Sequence, residues 1–475
     1  MRKTRIVCTL GPASNTAPVI RQMMEAGMNV ARFNFSHGTH ASHLAMLQEL
    51  DRVRNDMGEP VAALMDTRGP EVRLGTFAEG RVMLNVGDRF TLTGRPVQGD
   101  ANIVSITYPE LAHDLGDHTR ILIDDGNIEL RVEDVDGQDI HTRVVSGGPL
   151  SDRKGVNIPG VRLGLPYIDQ RDEDDLLFGI RTGFDYVAAS FVRSAEDLLQ
   201  MRTLLDRNGG QHIRLIAKIE NAEGVANIGE IIQHSDGIMV ARGDLGVEVP
   251  LEEIPVLQKQ IIRLGSMAGR PVITATQMLE SMGTHPRPTR AEITDVANAI
   301  YDGTSATMLS GETANGKYPV EAVRTMARIA ERTEQDINYA KRFVEHTLTG
   351  AQESITNAIS HATCLIAYRL NATAIISVTK SGTTARMISR FRPSMPIVAC
   401  TPEAVTRRQL SLSWGVTPLI MPEERVTDVL FQQAVYVARN AKLVAPGDTV
   451  VLTAGVPLAK TGNTNLIKVV QVPEN

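Results

Sequence analysis

Eight times between residues 4 and 311, a short apolar run of strand length is followed by a stretch whose apolar residues recur at helical spacing. The strand runs fall at residues 4–10, 29–36, 61–68, 185–192, 213–220, 236–244, 271–277 and 305–311. Runs apolar on both faces belong to parallel strands covered by crossover helices, and eight such βα units close into a TIM (β/α)8 barrel. The alternation breaks once. Residues 70–165 are rich in Gly, Asp, Val and Thr and carry short alternating runs such as RVMLNV, TRILIDD and IELRVEDV, which read as an all-β insert between the third strand and its helix. After residue 339 the αβ pattern begins again as a separate unit of mixed sheet and helices. The expected architecture is a barrel over 1–69 and 168–339, a small β-barrel insert over 70–167 and a C-terminal αβ domain over 340–475.

A barrel of this kind places its active site at the carboxyl ends of its strands. The richest of these ends lie in residues 213–246. Successive strand side chains alternate in direction, so Lys218 and Glu220 share one face, and Asp244 ends the next strand. Glu220 and Asp244 suit a hard divalent cation such as Mg²⁺, and Lys218 beside them suits an anionic substrate oxygen. The competing reading is a buried salt bridge closing the barrel end, although stability rarely justifies one. Asn34, Ser36, Asp66 and Thr67 end two adjacent strands and offer oxygens with a single negative charge, a set for a monovalent ion or for ordinary turn and cap chemistry. Arg32 shares the face of Asn34 and Arg73 follows the third strand, so both can grip a phosphoryl group, unless Arg73 is only a surface arginine. Lys154, in SDRKGVNIPG, reads as a lysine that closes over a nucleotide or simply as a solvated one. Thr276, in ITATQMLES, turns its hydroxyl to a neighbouring carbonyl or into the site. Farther on, Thr379, Lys380, Ser381, Gly382, Thr383 and Thr384 lie between a strand and a helix, where they form either an anion site or a capped turn.

A net charge of −6 with no polybasic run argues against nucleic acid or an anionic membrane as a partner. No stretch has the ~18 consecutive apolar residues of a membrane span, and no apolar leader opens the chain. Three scattered cysteines, Cys8, Cys364 and Cys400, fit a reducing compartment, so the expected location is the cytoplasm.

The segments TRIVCTLGPAS, NVARFNFSHG, MDTRGPEVRLG, KGVNIPG, AKIENAEG, SDGIMVARGDLGVEVP, VITATQMLESM, PTRAEITDVANAIYDGTSATMLSGETANGKYP and VTKSGTTA together resemble the pyruvate kinases, in order and over essentially the whole chain. The likeness is to bacterial members without an extra N-terminal domain. It implies phosphoryl transfer from phosphoenolpyruvate to ADP, giving pyruvate and ATP, with Mg²⁺ and K⁺. By the same resemblance Lys218 is the catalytic lysine, Glu220 and Asp244 are Mg²⁺ ligands, and Arg32, Gly243 and Thr276 contact the substrate. The K⁺ ligands fall on Asn34, Ser36, Asp66 and Thr67, and the nucleotide contacts on Asn34, His37, Arg73 and Lys154. Glu71 stands where K⁺-independent members have lysine. Thr276 and Ser310 are expected near a hydroxyl and water relay to the enolate. The resemblance also implies a homotetramer with a phosphorylated allosteric effector held at residues 379–384 and completed by the loop AGVPLAKTGNTN. EVRLG replaces the family's usual EIRTG, and Arg171-Asp172 replaces its usual KD. Two rivals stand beside this reading. One is a barrel aldolase with Lys218 as a Schiff-base lysine, and the other is a non-catalytic metabolite sensor.

Overall fold

The computed structural model describes residues 1–116, 118–347, 354–457 and 463–474. Eight parallel strands, Arg5–Thr9, Val30–Asn34, Ala62–Asp66, Tyr186–Ala189, Arg214–Ile219, Gly237–Ala241, Val272–Ala275 and Ala306–Leu309, form a closed barrel. Closure is made by the first strand, which pairs with both the second and the eighth. One alternate face of each strand fills the interior, where Val7, Val30, Leu64, Ala188, Ile216, Met239, Ile273 and Ala306 form one buried cluster. Two residues farther along five of these strands, the same inward face becomes polar. Thr9, Arg32, Asp66, Ser190 and Lys218 follow Val7, Val30, Leu64, Ala188 and Ile216 at the strand period of two. The apolar layer is the floor on which the site stands.

The helix expected as one piece between the fifth and sixth strands is two, Ala222–Ala226 and Ile228–His234. Asparagines make the break. Asn221 caps the first piece by accepting from the Gly224 amide at 2.7 Å, and Asn227 donates its side-chain amide to the Arg193 carbonyl at 2.8 Å. Asp244 belongs not to a strand end but to the first turn of the helix Arg242–Glu248. Thr276 likewise lies past its strand, in a left-handed conformation (φ 66°) shared with Gln277 (φ 54°).

Between the third strand and the helix Gln170–Thr182, seven strands form one sheet, running from Val72–Arg73 at one edge to Ile103–Ser105 at the other. The two edges meet through an antiparallel bridge between Leu74 and Ile106, so the sheet closes on itself around a core that includes Phe77, Phe90, Leu92, Leu130 and Ile140. A ribbon of Arg81–Leu84 with Gly148–Ser151 lies beside it.

The C-terminal sheet has four parallel strands, Val416–Ile420, Ile397–Thr401, Ala374–Val378 and Thr449–Ala454, with Leu466–Gln471 antiparallel at one edge. Its two faces carry separate cores, one under the helix Thr427–Asn440 and the other under Ile355–Arg369 and Thr383–Ser389. This unit docks on the barrel opposite the polar rim: Arg408 pairs with buried Asp185 at 2.9 Å, and Leu412 joins the barrel's interior cluster.

Candidate active site

Asp66, buried at the end of the third strand, is the hub. Its Oδ2 accepts from Arg32 Nε at 2.5 Å, and its Oδ1 accepts from Lys218 Nζ at 2.9 Å and from Ser190 Oγ at 3.3 Å. Lys218 also donates to Ser190 Oγ at 2.7 Å and stands 3.0 Å from Glu220 Oε1. Arg32 reaches Thr9 Oγ1 at 2.9 Å. Glu220 is fixed from its other side by the Phe191 amide at 2.7 Å, which Phe191 can present because it adopts φ 53°.

Burial opposes ionisation of Asp66, but Arg32 and Lys218 outweigh it and hold the carboxyl below its usual range. Burial likewise opposes charge on Lys218, and the carboxylates of Asp66 and Glu220 reverse the balance, so the ammonium stays protonated above the ordinary lysine range. A Schiff-base lysine needs the opposite setting, a lysine that sheds its proton easily. Burial pushes the Glu220 carboxyl up; Lys218 pulls it back and Asp244 adds to the rise. Three carboxylates, Asp66, Glu220 and Asp244, therefore surround two cations, and the surplus lies on the Glu220 and Asp244 side. That is the donor chemistry of a hard divalent ion. No group of three or more His, Cys, Asp or Glu among the described residues is placed to hold a metal ion.

The four residues expected to bind a monovalent ion are neighbours. Asn34 and Asp66 are register partners on adjacent strands, Asn34 Oδ1 accepts from the Ser36 amide at 3.1 Å, and the Thr67 carbonyl accepts from Ser190 Oγ at 2.6 Å. Above them a cleft of about 850 Å³ opens between the barrel rim and the insert, lined among others by His37, Arg73, Asp125, Lys154, Asp244 and Glu248. The basic residues of the insert are engaged there: Lys154 pairs with Asp124 at 2.7 Å, and Arg73 pairs with Glu71 at 2.6 Å and donates to the Arg153 carbonyl at 3.0 Å. Arg32, bound to Asp66 and Thr9, and Arg73, bound to Glu71 and the Arg153 carbonyl, share no partner among the described residues. Thr276 Oγ1 accepts from the Gly243 amide at 2.8 Å and donates to the Ala275 carbonyl at 2.6 Å. Ser310 Oγ is buried without a hydrogen-bond partner among the described residues.

Sequence reasoning missed Ser190 and Arg242. Ser190 had a signal, a lone hydroxyl continuing the inward face of an otherwise apolar strand. Arg242 had none: it donates to the carbonyls of Ala275 (3.3 Å), Thr276 (2.7 Å) and Gln277 (3.3 Å) and pairs with Asp295 at 2.7 Å, so it holds the left-handed turn in place. In the C-terminal unit Thr379, Lys380, Ser381 and Thr384 line a cavity of about 70 Å³ with Glu423 and Asn463. Lys380 is bound to Glu423 at 3.0 Å, Gly382 (φ 80°) donates to Thr379 Oγ1, Ser381 Oγ meets Thr383 Oγ1, and buried Thr384 meets Thr464. Residues 458–462 of the late loop lie outside the described residues.

A parallel eight-stranded barrel whose rim sets a protonated lysine and an arginine among three carboxylates, beneath a β insert, defines a barrel phosphotransferase. The family model described as pyruvate kinase, barrel domain, matches residues 1–323, and that described as pyruvate kinase, alpha/beta domain, matches residues 357–470. The chain belongs to the pyruvate kinase family. It is 50% identical over 470 residues to a pyruvate kinase of Geobacillus stearothermophilus, an alignment covering 98% of this chain and 80% of that one. It is 47% identical to a pyruvate kinase of Clostridium acetobutylicum, covering 99% of each. The crystal structure of a pyruvate kinase from Cryptosporidium parvum superposes with a TM-score of 0.94 at 37% identity, covering 99% of this chain and 96% of that chain. No helix among the described residues is long and apolar enough to cross a membrane.

Proposed function

We infer that the protein transfers the phosphoryl group of phosphoenolpyruvate to ADP, giving pyruvate and ATP in glycolysis, and that it does so in the cytoplasm. The observation that carries this reading is the convergence of Lys218, Arg32, Glu220 and Asp244 at one rim. Lys218 and Arg32 present two fixed positive charges to the transferring phosphoryl group, held by Asp66 so that little reorganisation accompanies transfer. Mg²⁺ bound by Glu220 and Asp244 would neutralise phosphate and carboxylate oxygens of the substrate. K⁺ would be held by Asn34, Ser36, Asp66 and Thr67. The Gly243 amide and the Thr276 hydroxyl, which now donate to Thr276 Oγ1 and to the Ala275 carbonyl, would turn to the substrate carboxylate and position it. Ser310, whose hydroxyl has no partner among the described residues, would pass a proton through water toward the enolate. Asn34, His37, Arg73 and Lys154 receive the nucleotide, with Arg73 and Lys154 exchanging Glu71 and Asp124 for phosphates.

A phosphorylated metabolite is proposed to occupy the loop of residues 379–384, displacing Glu423 from Lys380. Exposed Leu251 and Val256 and the outer edge of Leu466–Gln471 are surfaces that partner subunits of a homotetramer would cover. A coupled assay with phosphoenolpyruvate, ADP and Mg²⁺ tests the whole reading. Turnover is expected in K⁺ and should collapse when a bulky organic cation replaces it at equal ionic strength. Glu71→Lys is expected to relieve that requirement, because an ammonium would then stand beside Arg68 and Arg73 where the carboxylate now pairs with both. Undiminished activity without K⁺ would refute the monovalent site. A phosphoenolpyruvate saturation curve unmoved by sugar phosphates and AMP would refute the effector site.

A further inference from the structure

The loop after the second barrel strand carries Ser36 and His37 to the cleft, held at its start by Asn34 and farther on by a side chain with no role assigned so far. His43, on the helix His40–Met57, is 4% exposed, and its Nε2 lies 2.9 Å from the His37 carbonyl oxygen. A carbonyl can only accept, so the neutral ring carries its proton on Nε2 and leaves Nδ1 as a bare acceptor. That Nδ1 is buried with no hydrogen-bond partner among the described residues. Burial also pulls the imidazole below the usual histidine range, against the His37 bond and Asp175, which keeps the ring neutral and the tautomer fixed.

Packing alone does not explain a histidine here. The ring stacks on Phe35 with centroids 4.2 Å apart and stands edge-on to Phe33 at 6.3 Å. A phenylalanine would make both contacts and bury no orphaned acceptor. What imidazole adds is the single bond to the loop. Gly38 (φ 82°) lets the loop pass close to the ring, since a Cβ there would come within 3.2 Å of Nε2. A cavity of about 230 Å³, bounded by Phe35, Thr39, His40, His43 and Asp175, borders the loop and gives it room to move once that bond is cut.

We propose that His43 is a positioning residue for phosphoryl transfer, fixing through the His37 carbonyl the short stretch that presents groups to the nucleotide and the monovalent cation. The proposal rests on the placement of Ser36 and His37 in those roles given above. Steady-state kinetics of the full chain carrying His43→Phe, His43→Gln or His37→Ala test it. His43→Phe keeps the stack and loses the bond, so it is expected to raise the ADP KM and the half-saturating K⁺ concentration by roughly fivefold, with the phosphoenolpyruvate KM changed by less than about twofold. His43→Gln places an amide N–H near the Nε2 position and is expected to restore both values. His43→Leu replaces His43→Phe, with the same expectations, if the latter does not fold. Unchanged ADP and K⁺ values overturn the proposal whatever happens to Tm, and so does a uniform fall in kcat that His43→Gln does not rescue. If His37→Ala raises the ADP KM and His43→Phe does not, the tether alone is wrong. If His37→Ala leaves the ADP KM unmoved, the nucleotide role of the loop fails and the proposal falls with it.

Discussion

Lys218→Met is expected to fold and to lose roughly a thousandfold or more in turnover, because a preorganised charge on the transferring group is worth several kcal/mol in a water-poor site. The fold should survive because methionine fills the lysine stem's volume, Asp66 keeps Arg32 and Ser190, and Glu220 keeps the Phe191 amide. The KM for phosphoenolpyruvate should change far less, since in the proposed reading Arg32 and the Gly243 and Thr276 pair would still bind the ground state. Rapid-quench measurement of a single turnover separates the transfer step from product release. A variant that keeps a tenth of wild-type turnover removes Lys218 from the reaction.

Asp66→Asn is expected to damage both activity and stability. The substitution leaves Arg32 and Lys218 buried at 8% exposure each with their shared carboxylate gone, and breaking a buried pair in this way typically costs about 3–5 kcal/mol. Turnover should fall by roughly a hundredfold, because both cations lose the partner that aims them. Urea unfolding of wild type and variant measures the stability difference, and a midpoint shift too small to resolve would show that Asp66 is not the hub. The pH dependence has a defined sign. The folded carboxyl lies below its unfolded value of about 4, so its contribution is fully present above that value and is lost as pH falls through the lower, folded one. The stability gap between wild type and Asp66→Asn should therefore narrow in acid and stay constant through neutral pH.

The alternation of strand side chains made Lys218 and Glu220 legible as neighbours, and the eightfold repetition of strand and helix made the barrel legible before any coordinate. Ser190 was open to the same argument, since the step of two that carries Ile216 to Lys218 also carries Ala188 to Ser190. Local pattern could not show where strands stop. Asp244 sits in a helical first turn and Thr276 in a left-handed turn, and the second is imposed from a distance by Arg242, whose three carbonyl contacts leave no mark on the surrounding residues. The continuous apolar spacing of residues 221–235 concealed the break at Asn227, because the side chain that makes it bonds to Arg193, on a different connection. Engagement of Lys154 by Asp124 and of Lys380 by Glu423 was equally invisible, since both acidic partners lie about 30 to 40 residues away along the chain.

Because the insert closes its own sheet and buries its own core, a swing against the barrel would leave that core intact. Its contacts with the rim include two polar ones, Asn157 to Glu248 at 3.5 Å and Arg162 to Glu223 at 3.6 Å, while Tyr167 at its end is buried in the barrel core. Heat capacity follows the apolar area exchanged with water, and a rigid swing of this unit leaves the area around Phe77, Phe90 and Leu130 unchanged. A closure over nucleotide by such a swing would then have an enthalpy that varies little with temperature, apart from what the ligand, the cleft lining and Tyr167 contribute. A balance between open and closed cleft set in this way would hold steady across a range of growth temperatures, even while the barrel's own margin of stability bends with the curvature of its much larger core.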